Sequence, residues 1–192
     1  MASTLRTFIA LALEEPALGA ATRCLVALRE GPLGAAARFV RPEGLHVTLR
    51  FLGAIDSELV PSLARAVAEA VAPIPPFALH LGPLRAFPSA RRPRVLALGL
   101  EPESPLAALA AAVERGVVAA GIAPDARTFR PHVTLARVRE GRPFTLDGAQ
   151  GPDAAEFTAR AAILFESRPG PGGSVYTPLE RMSLGGPVSK QP

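Results

Sequence analysis

Leu45-His46-Val47-Thr48-Leu49-Arg50-Phe51-Leu52-Gly53 carries a tetrapeptide, His-Val-Thr-Leu, that returns 86 residues later inside Phe129-Arg130-Pro131-His132-Val133-Thr134-Leu135-Ala136-Arg137. The chain has three histidines, and two of them sit in this motif. With nine threonines among 192 residues, chance would rarely place Thr two positions after two of three histidines. The motif alternates polar and apolar residues, the period of a half-buried β-strand. His46 and Thr48 then share one face, and Val47 and Leu49 anchor the other in a core. The second copy repeats this with His132 and Thr134 over Val133 and Leu135. Strict alternation also places Arg50 on the face of His46 and Thr48, and Arg130 on the face of His132. Arg137 has core-side parity and reaches the His face only through a bulge or the strand's end.

Two imidazoles facing one cleft suit a reaction that needs a base on one side and an acid on the other, since imidazole titrates near neutral pH. Attack at phosphorus has that requirement: a nucleophile must lose a proton while the departing oxygen gains one. Threonine hydroxyls supply neutral donors to the non-bridging oxygens, where charge accumulates. The motifs are symmetric, so they leave open which histidine is acid and which is base. Zinc fits poorly, because a protein zinc site takes three or four ligands, Cys24 is the only thiol, and Glu43 is the only carboxylate at ligand spacing. No metal and no cofactor are expected. A nucleophilic triad fares no better: no G-x-S-x-G occurs, and Cys24 lies within an apolar, helix-like stretch that reads as a buried structural thiol. The third histidine, His80, lacks a threonine partner and reads as a strand surface residue.

A chain of this length can bury one core or two closely fused lobes. Its apolar runs fall well short of a membrane span. The stretch Thr7-Phe8-Ile9-Ala10-Leu11-Ala12-Leu13 has the length of a signal-peptide core. It is preceded by one arginine and followed by Glu14-Glu15, and so reads as a first strand. One cysteine gives no disulfide framework, which fits a reducing cytoplasm. The net charge of +4 rests on twenty arginines and the single Lys190. Arg41 and Arg50 flank the first motif. Arg127, Arg130, Arg137, Arg139 and Arg142 surround the second, and Arg85, Arg91, Arg92 and Arg94 cluster between them. A guanidinium stays charged and donates bidentately, so this grouping favours a polyanionic ligand.

The pattern predicts strands over 5–13, 45–52, 77–82, 94–100, 132–138, 156–166 and 174–183. It predicts helices over 18–30, from the Asp56/Ser57 cap to about 72, and over 105–120 with Ser104 as cap and Gly121 at the end. Gly53 ends the first motif strand, Pro73, Pro75 and Pro76 break the second helix, and 88–93 forms an exposed basic turn. Each half of the chain holds a helix and a His-Val-Thr-Leu strand, with no low-complexity linker between them. One bilobal domain over 1–184 is expected, with residues 185–192 as a tail.

The spacing of the two motifs, with their Phe51-Leu52-Gly53 and Arg130-Pro131 flanks, resembles the two-histidine (2H) phosphoesterases. The nearest branch is the RNA 2′,3′-cyclic phosphodiesterases, also called bacterial and archaeal 2′-5′ RNA ligases. Arg6-Thr7-Phe8-Ile9-Ala10-Leu11 is similar to that family's opening strand, 87–95 to its central hairpin, and Ser167 with Tyr176 to its closing hairpin. The family's aromatic before the first motif has Phe39 as its nearest counterpart. The resemblance implies an α+β fold of two antiparallel sheets with flanking helices about a central cleft, related by a pseudo-twofold, with one motif in each lobe. It implies metal-independent hydrolysis of RNA 2′,3′-cyclic phosphate ends to 2′-phosphates, with His46 as proton donor to the 3′-oxygen and His132 as proton acceptor from water. Thr48 and Thr134 would hold the phosphoryl oxygens, with Arg130 or Arg137 as a cationic supplement. The expected partner is RNA with tRNA-like ends, met by a cytoplasmic monomer that has no membrane association. Three alternatives stay open: sealing of RNA ends through a 2′-5′ linkage, a two-histidine enzyme for a small cyclic phosphate such as ADP-ribose 1″,2″-cyclic phosphate, and a non-catalytic RNA-binding module.

Overall fold

The computed structural model describes residues 3–171 and 173–186. Among these residues nine antiparallel strands carry the fold: β1 (Thr4–Ala12), β2 (Ala37–Phe39), β3 (His46–Asp56), β4 (Phe77–Phe87), β5 (Val95–Glu101), β6 (Val133–Val138), β7 (Glu156–Ala159), β8 (Ala161–Gly170) and β9 (Gly173–Ser183). Three helices accompany them, α1 (Ala17–Glu30), α2 (Val60–Val71) and α3 (Glu103–Ala119). The strand order is β7-β4-β5-β6-β3-β1-β8-β9, with β2 paired to β6 beside the path. Read from the centre, each motif strand is innermost, followed by two long strands and an edge strand. The two half-sheets meet where β3 pairs with β6 through Val47 and Val133. This is the α+β, two-sheet arrangement that the resemblance implies, curled into one continuous antiparallel surface.

The apolar parity of the strands builds the core. Ile9, Leu11, Val47, Leu98, Leu100, Val133 and Leu164 are buried. Helices α2 and α3 pack together and against β9 and β3, so they cover the first half-sheet; α1 lies against β2 and β4 of the second. Gly116 makes the α2–α3 crossing close, because a Cβ there would sit 2.6 Å from the Val67 Cα. Cys24 is buried on α1, and burial pushes its thiol up to about 11, the inert state expected of a structural cysteine. His80 is exposed on β4, 3.6 Å from Glu156.

Several element boundaries differ from the sequence reading. Gly53 does not end β3; the strand runs on to Asp56, with Gly53 taking φ +75 opposite Thr7. Strand β4 passes Gly82-Pro83 through a register irregularity and continues to Phe87. There Gly82 lets the backbones of β4 and β5 approach, since a Cβ would meet the Gly99 carbonyl carbon at 3.1 Å. Residues 156–166 are not one strand: the chain breaks at Arg160, and β7 and β8 lie at opposite ends of the sheet order. Ser104 does not cap α3, which starts at Glu103 after Pro102 without a side-chain cap. The short β2 falls in a stretch read as loop. Residues 185–186 of the expected tail are tied in, with the Gly185 amide donating to the Ile74 carbonyl at 2.7 Å. The remainder of that tail lies outside the described residues.

Candidate active site

The single β3–β6 pair places the site. Val47 and Val133 point into the core, so the residues on either side of each point to the opposite face. The antiparallel sense sets His46 across from Thr134, and His132 across from Thr48. All four side chains are half-buried on that shared face.

Each histidine is fixed by the same device. The Nδ1–H of His46 donates to the Gly44 carbonyl at 2.7 Å, and the Nδ1–H of His132 donates to the Arg130 carbonyl at 2.7 Å. In both cases the acceptor is two residues back along the chain, so local backbone holds the ring and leaves Nε2 toward the cleft. His46 Nε2 lies 3.0 Å from the Thr48 hydroxyl. Gly44 closes the short 3-10 turn Pro42–Gly44 and passes under Tyr176, where a Cβ would meet the ring at 3.3 Å. The Arg41 guanidinium donates to the Pro171 carbonyl, which ties this turn to the tip of the β8–β9 hairpin.

Aromatic rings surround His46. Phe8 packs 4.8 Å from it and Tyr176 meets it edge-on at 5.1 Å, while Phe165 stacks on Phe8 at 5.3 Å. Burial pushes the His46 imidazole below its ordinary value; the Gly44 hydrogen bond opposes this shift, and the nearby His132 adds to it. Phe87 lies 5.1 Å from His132.

A pair of matched β-bulges decides which arginines reach this face. In the β1–β3 ladder Thr48 pairs with Ala10 and Arg50 with Ile9, so Leu49 is the extra residue. In the β5–β6 ladder Thr134 pairs with Ala97 and Ala136 with Leu96, so Leu135 is the extra residue. Each motif strand is therefore bulged at its own leucine, and parity inverts beyond it. Arg50 consequently turns away from the His46 face, contrary to strict alternation. It is buried, its Nε donating to Glu114 at 2.5 Å and its other nitrogens reaching the Ala123 carbonyl at 2.6 Å and Asp125 at 3.4 Å. Phe51 takes its place on the cleft face, half-exposed beside Phe8, with the Arg127 guanidinium 5.7 Å from its ring centre. Asp125 holds Arg127 through paired contacts at 2.6 and 3.0 Å, and its carboxyl drops to about 2 in consequence.

Arg137 gains by the same inversion. The bulge at Leu135 brings it onto the Thr134 face, opposite Val95 and exposed. Arg38 of β2, which sequence reasoning passed over, pairs across from Arg137 and is exposed on that same face. Arg130 is exposed and lines a pocket with Arg85, Phe87, Glu103, Phe129 and Pro131. Sequence reasoning also missed Phe8 and Phe87 as neighbours of the histidines; only cross-strand register reveals those contacts.

Two oriented imidazoles and two hydroxyls across the centre of a palindromic sheet define a two-histidine phosphoesterase fold. Residues 20–168 match the family profile of the 2′-5′ RNA ligase superfamily, and the chain belongs to that superfamily. A Bacillus subtilis protein named RNA 2′,3′-cyclic phosphodiesterase is 34% identical over 119 residues, 62% of this chain and 65% of that protein. The chain thus aligns with just under two thirds of that relative's length. An Aquifex aeolicus protein of the same name is 31% identical over 155 residues, covering 78% of this chain and 82% of its own. Among solved structures, the TT0787 protein of Thermus thermophilus superposes with a TM-score of 0.79 at 30% identity, over 95% of this chain and 99% of that one. Among the described residues, no helix is long and apolar enough to cross a membrane.

Proposed function

We propose that this protein hydrolyses the 2′,3′-cyclic phosphate at the end of an RNA chain to a 2′-phosphomonoester by paired histidine acid–base catalysis. The observation that carries the reading is the β3–β6 seam, which sets two Nδ1-anchored imidazoles beside each other with a threonine across from each. The names of the curated relatives support the substrate class.

In this reading the cyclic phosphate lies between the two histidines. Its non-bridging oxygens accept from the Thr48 and Thr134 hydroxyls, and Arg137, next along the Thr134 face, balances the added charge. His132 Nε2 takes the proton of the attacking water, and protonated His46 delivers its Nε2 proton to the departing 3′-oxygen. The P–O3′ bond breaks, the phosphate stays on O2′, and solvent exchange resets both imidazoles. A depressed pKa makes protonated His46 a stronger donor at the cost of a smaller charged population near neutrality. Arg130 supplies its carbonyl to orient His132.

The test is chromatography of a short RNA ending in 2′,3′-cyclic phosphate, incubated in EDTA with the wild-type protein, His46→Ala or His132→Ala. Wild type is expected to give the 2′-phosphate, and each variant to lose about 10²–10⁴-fold in rate while keeping its unfolding temperature. A 3′-phosphate product would reverse the acid and base oxygens. Wild-type turnover by either folded variant would remove that histidine from the reaction.

A further inference from the structure

One rung of the sheet carries two facing cations. Cross-strand register sets Phe87 of β4 opposite Val95 of β5, Val95 opposite Arg137 of β6, and Arg137 opposite Arg38 of β2. The neighbouring rung on this face runs from Arg85 through Ala97 to Thr134, which lies across the seam from His46. Arg38 and Arg137 are therefore one step from the reacting groups, both exposed. Directly opposite residues in antiparallel strands have Cα atoms only about 4.5–5.5 Å apart, and like charges so placed destabilise a sheet. Elsewhere on this face the cations are matched: Arg85 meets Glu103 at 3.2 Å, and Arg127 meets Asp125 at 2.6 Å. Among the described residues neither Arg38 nor Arg137 has a salt bridge.

The pair also has a side. Strand β5 fills one edge of β6 over 133–137, so β2 shares the other edge with β3. Arg38 thus lies on the His46 side of the cleft. In the reaction proposed above, on which this inference rests, the departing 3′-oxygen is at His46, so the ribose of the cyclic phosphate is on that side too. Arg137 serves the reacting phosphate. The next negative charge along an RNA chain is one nucleoside away, on the 5′ side of that ribose. We propose that Arg38 binds this 5′-phosphate of the terminal nucleotide, so that the protein selects a cyclic phosphate end carrying a 5′-phosphate over a bare nucleoside 2′,3′-cyclic phosphate.

Each guanidinium presents a planar fork that holds a phosphate bidentately. Two phosphates one nucleoside apart then supply the counter-charge that the sheet itself leaves out, and the repulsion between the arginines is relieved only when substrate is bound. No bond is made or broken at Arg38; it is a specificity residue, and the chemical step stays with the histidines.

The experiment compares adenosine 2′,3′-cyclic phosphate with the same nucleotide carrying a 5′-phosphate, using the full chain in EDTA and chromatography of the products. Wild type is expected to favour the 5′-phosphorylated form about three- to tenfold in kcat/KM, between the scale of an exposed ion pair and that of a buried charge-assisted hydrogen bond. The preference should reside in KM, with kcat alike for the two. Arg38→Gln should abolish it, and Arg38→Lys should restore part of it. On a short RNA with a cyclic phosphate end, Arg38→Gln should also reduce the slope of log KM against log salt by about 0.7, the value of one phosphate contact on a single strand. Thermal unfolding at low salt reads the free protein: Arg38→Gln should unfold no lower than wild type, because one of two facing like charges is gone. A preference for the 5′-phosphate that survives Arg38→Gln, no preference in wild type, or a clear fall in unfolding temperature would overturn the role of Arg38 and leave the hydrolase standing. Absence of hydrolysis of both nucleotides and of the RNA by wild type would overturn both.

Discussion

Replacing Arg50 with methionine separates two readings of the first motif. Strict strand alternation puts this guanidinium over the substrate, where its loss would lower turnover and leave stability alone. The bulge at Leu49 puts it in the interior instead, against Glu114, Asp125 and the Ala123 carbonyl. Methionine keeps much of the aliphatic stem and removes the charge, leaving two carboxylates short of a partner. Breaking a buried ion pair from one side costs about 3–5 kcal/mol. The lower end applies here, because Glu114 and Asp125 are 28% and 20% exposed and Asp125 keeps Arg127. A loss of about 3 kcal/mol lowers the unfolding temperature of a chain this size by roughly 6–12 °C. Thermal unfolding followed by circular dichroism reads this directly. Adding Glu114→Gln to Arg50→Met should cost less than the sum of the single substitutions, with a coupling of about 1–3 kcal/mol. An unfolding temperature within about 2 °C of wild type, together with a collapse in cyclic-phosphate turnover, would refute the interior placement and return Arg50 to the cleft.

Two further outcomes follow from the geometry. His46 should titrate by NMR below the ordinary histidine value of 6.5, and should move upward in His132→Ala, where a neighbouring positive charge is gone. Because the unfolded chain takes up this proton first, His46 costs stability as pH falls below 6.5 toward its folded value; a His46 titrating at or above 6.5 would contradict the burial argument. Gly116→Ala places a Cβ 2.6 Å from the Val67 Cα and 2.8 Å from the Ala66 carbonyl oxygen, both backbone atoms with little room to yield. The clash should outweigh the gain in helix propensity and cost about 1–3 kcal/mol, read as a lower urea midpoint; a raised midpoint would show that the helices separate freely.

Much of this architecture is local and therefore legible in the chain. The alternation in His46–Leu49 and His132–Leu135 fixes which side chains are polar-facing, and helices α1 and α2 begin and end close to their sequence signals. The corrections, and the point left open at Arg137, share one physical origin. Arg50, Arg137, the passage of β4 through Gly82-Pro83 and the persistence of β3 beyond Gly53 all depend on bulges or register shifts, which belong to a pair of strands rather than to either one. Arg137 shows the limit: its route to the cleft required a bulge, and nothing within Val133–Val138 announces one. The break at Arg160 is similar, because which edge each segment joins is decided by partners far away in sequence. Phe8 and Phe87 read as ordinary strand aromatics until cross-strand pairing puts them against the histidines.

The order of the strands has one more consequence. The half-sheet of His46 draws β1 and β3 from the beginning of the chain and β8 and β9 from its end, while that of His132 is assembled from the segments between. A cut in the exposed 88–93 turn would give two pieces of similar size, each with its own His-Val-Thr-Leu, and neither would hold all four strands needed to bury that motif's valine and leucine. The internal likeness of the chain is thus not a division into two foldable modules. The half-sheet of His46 takes shape only when the C-terminal β8 and β9 have joined the N-terminal β1 and β3, so the two histidines are brought together by strands drawn from the whole chain.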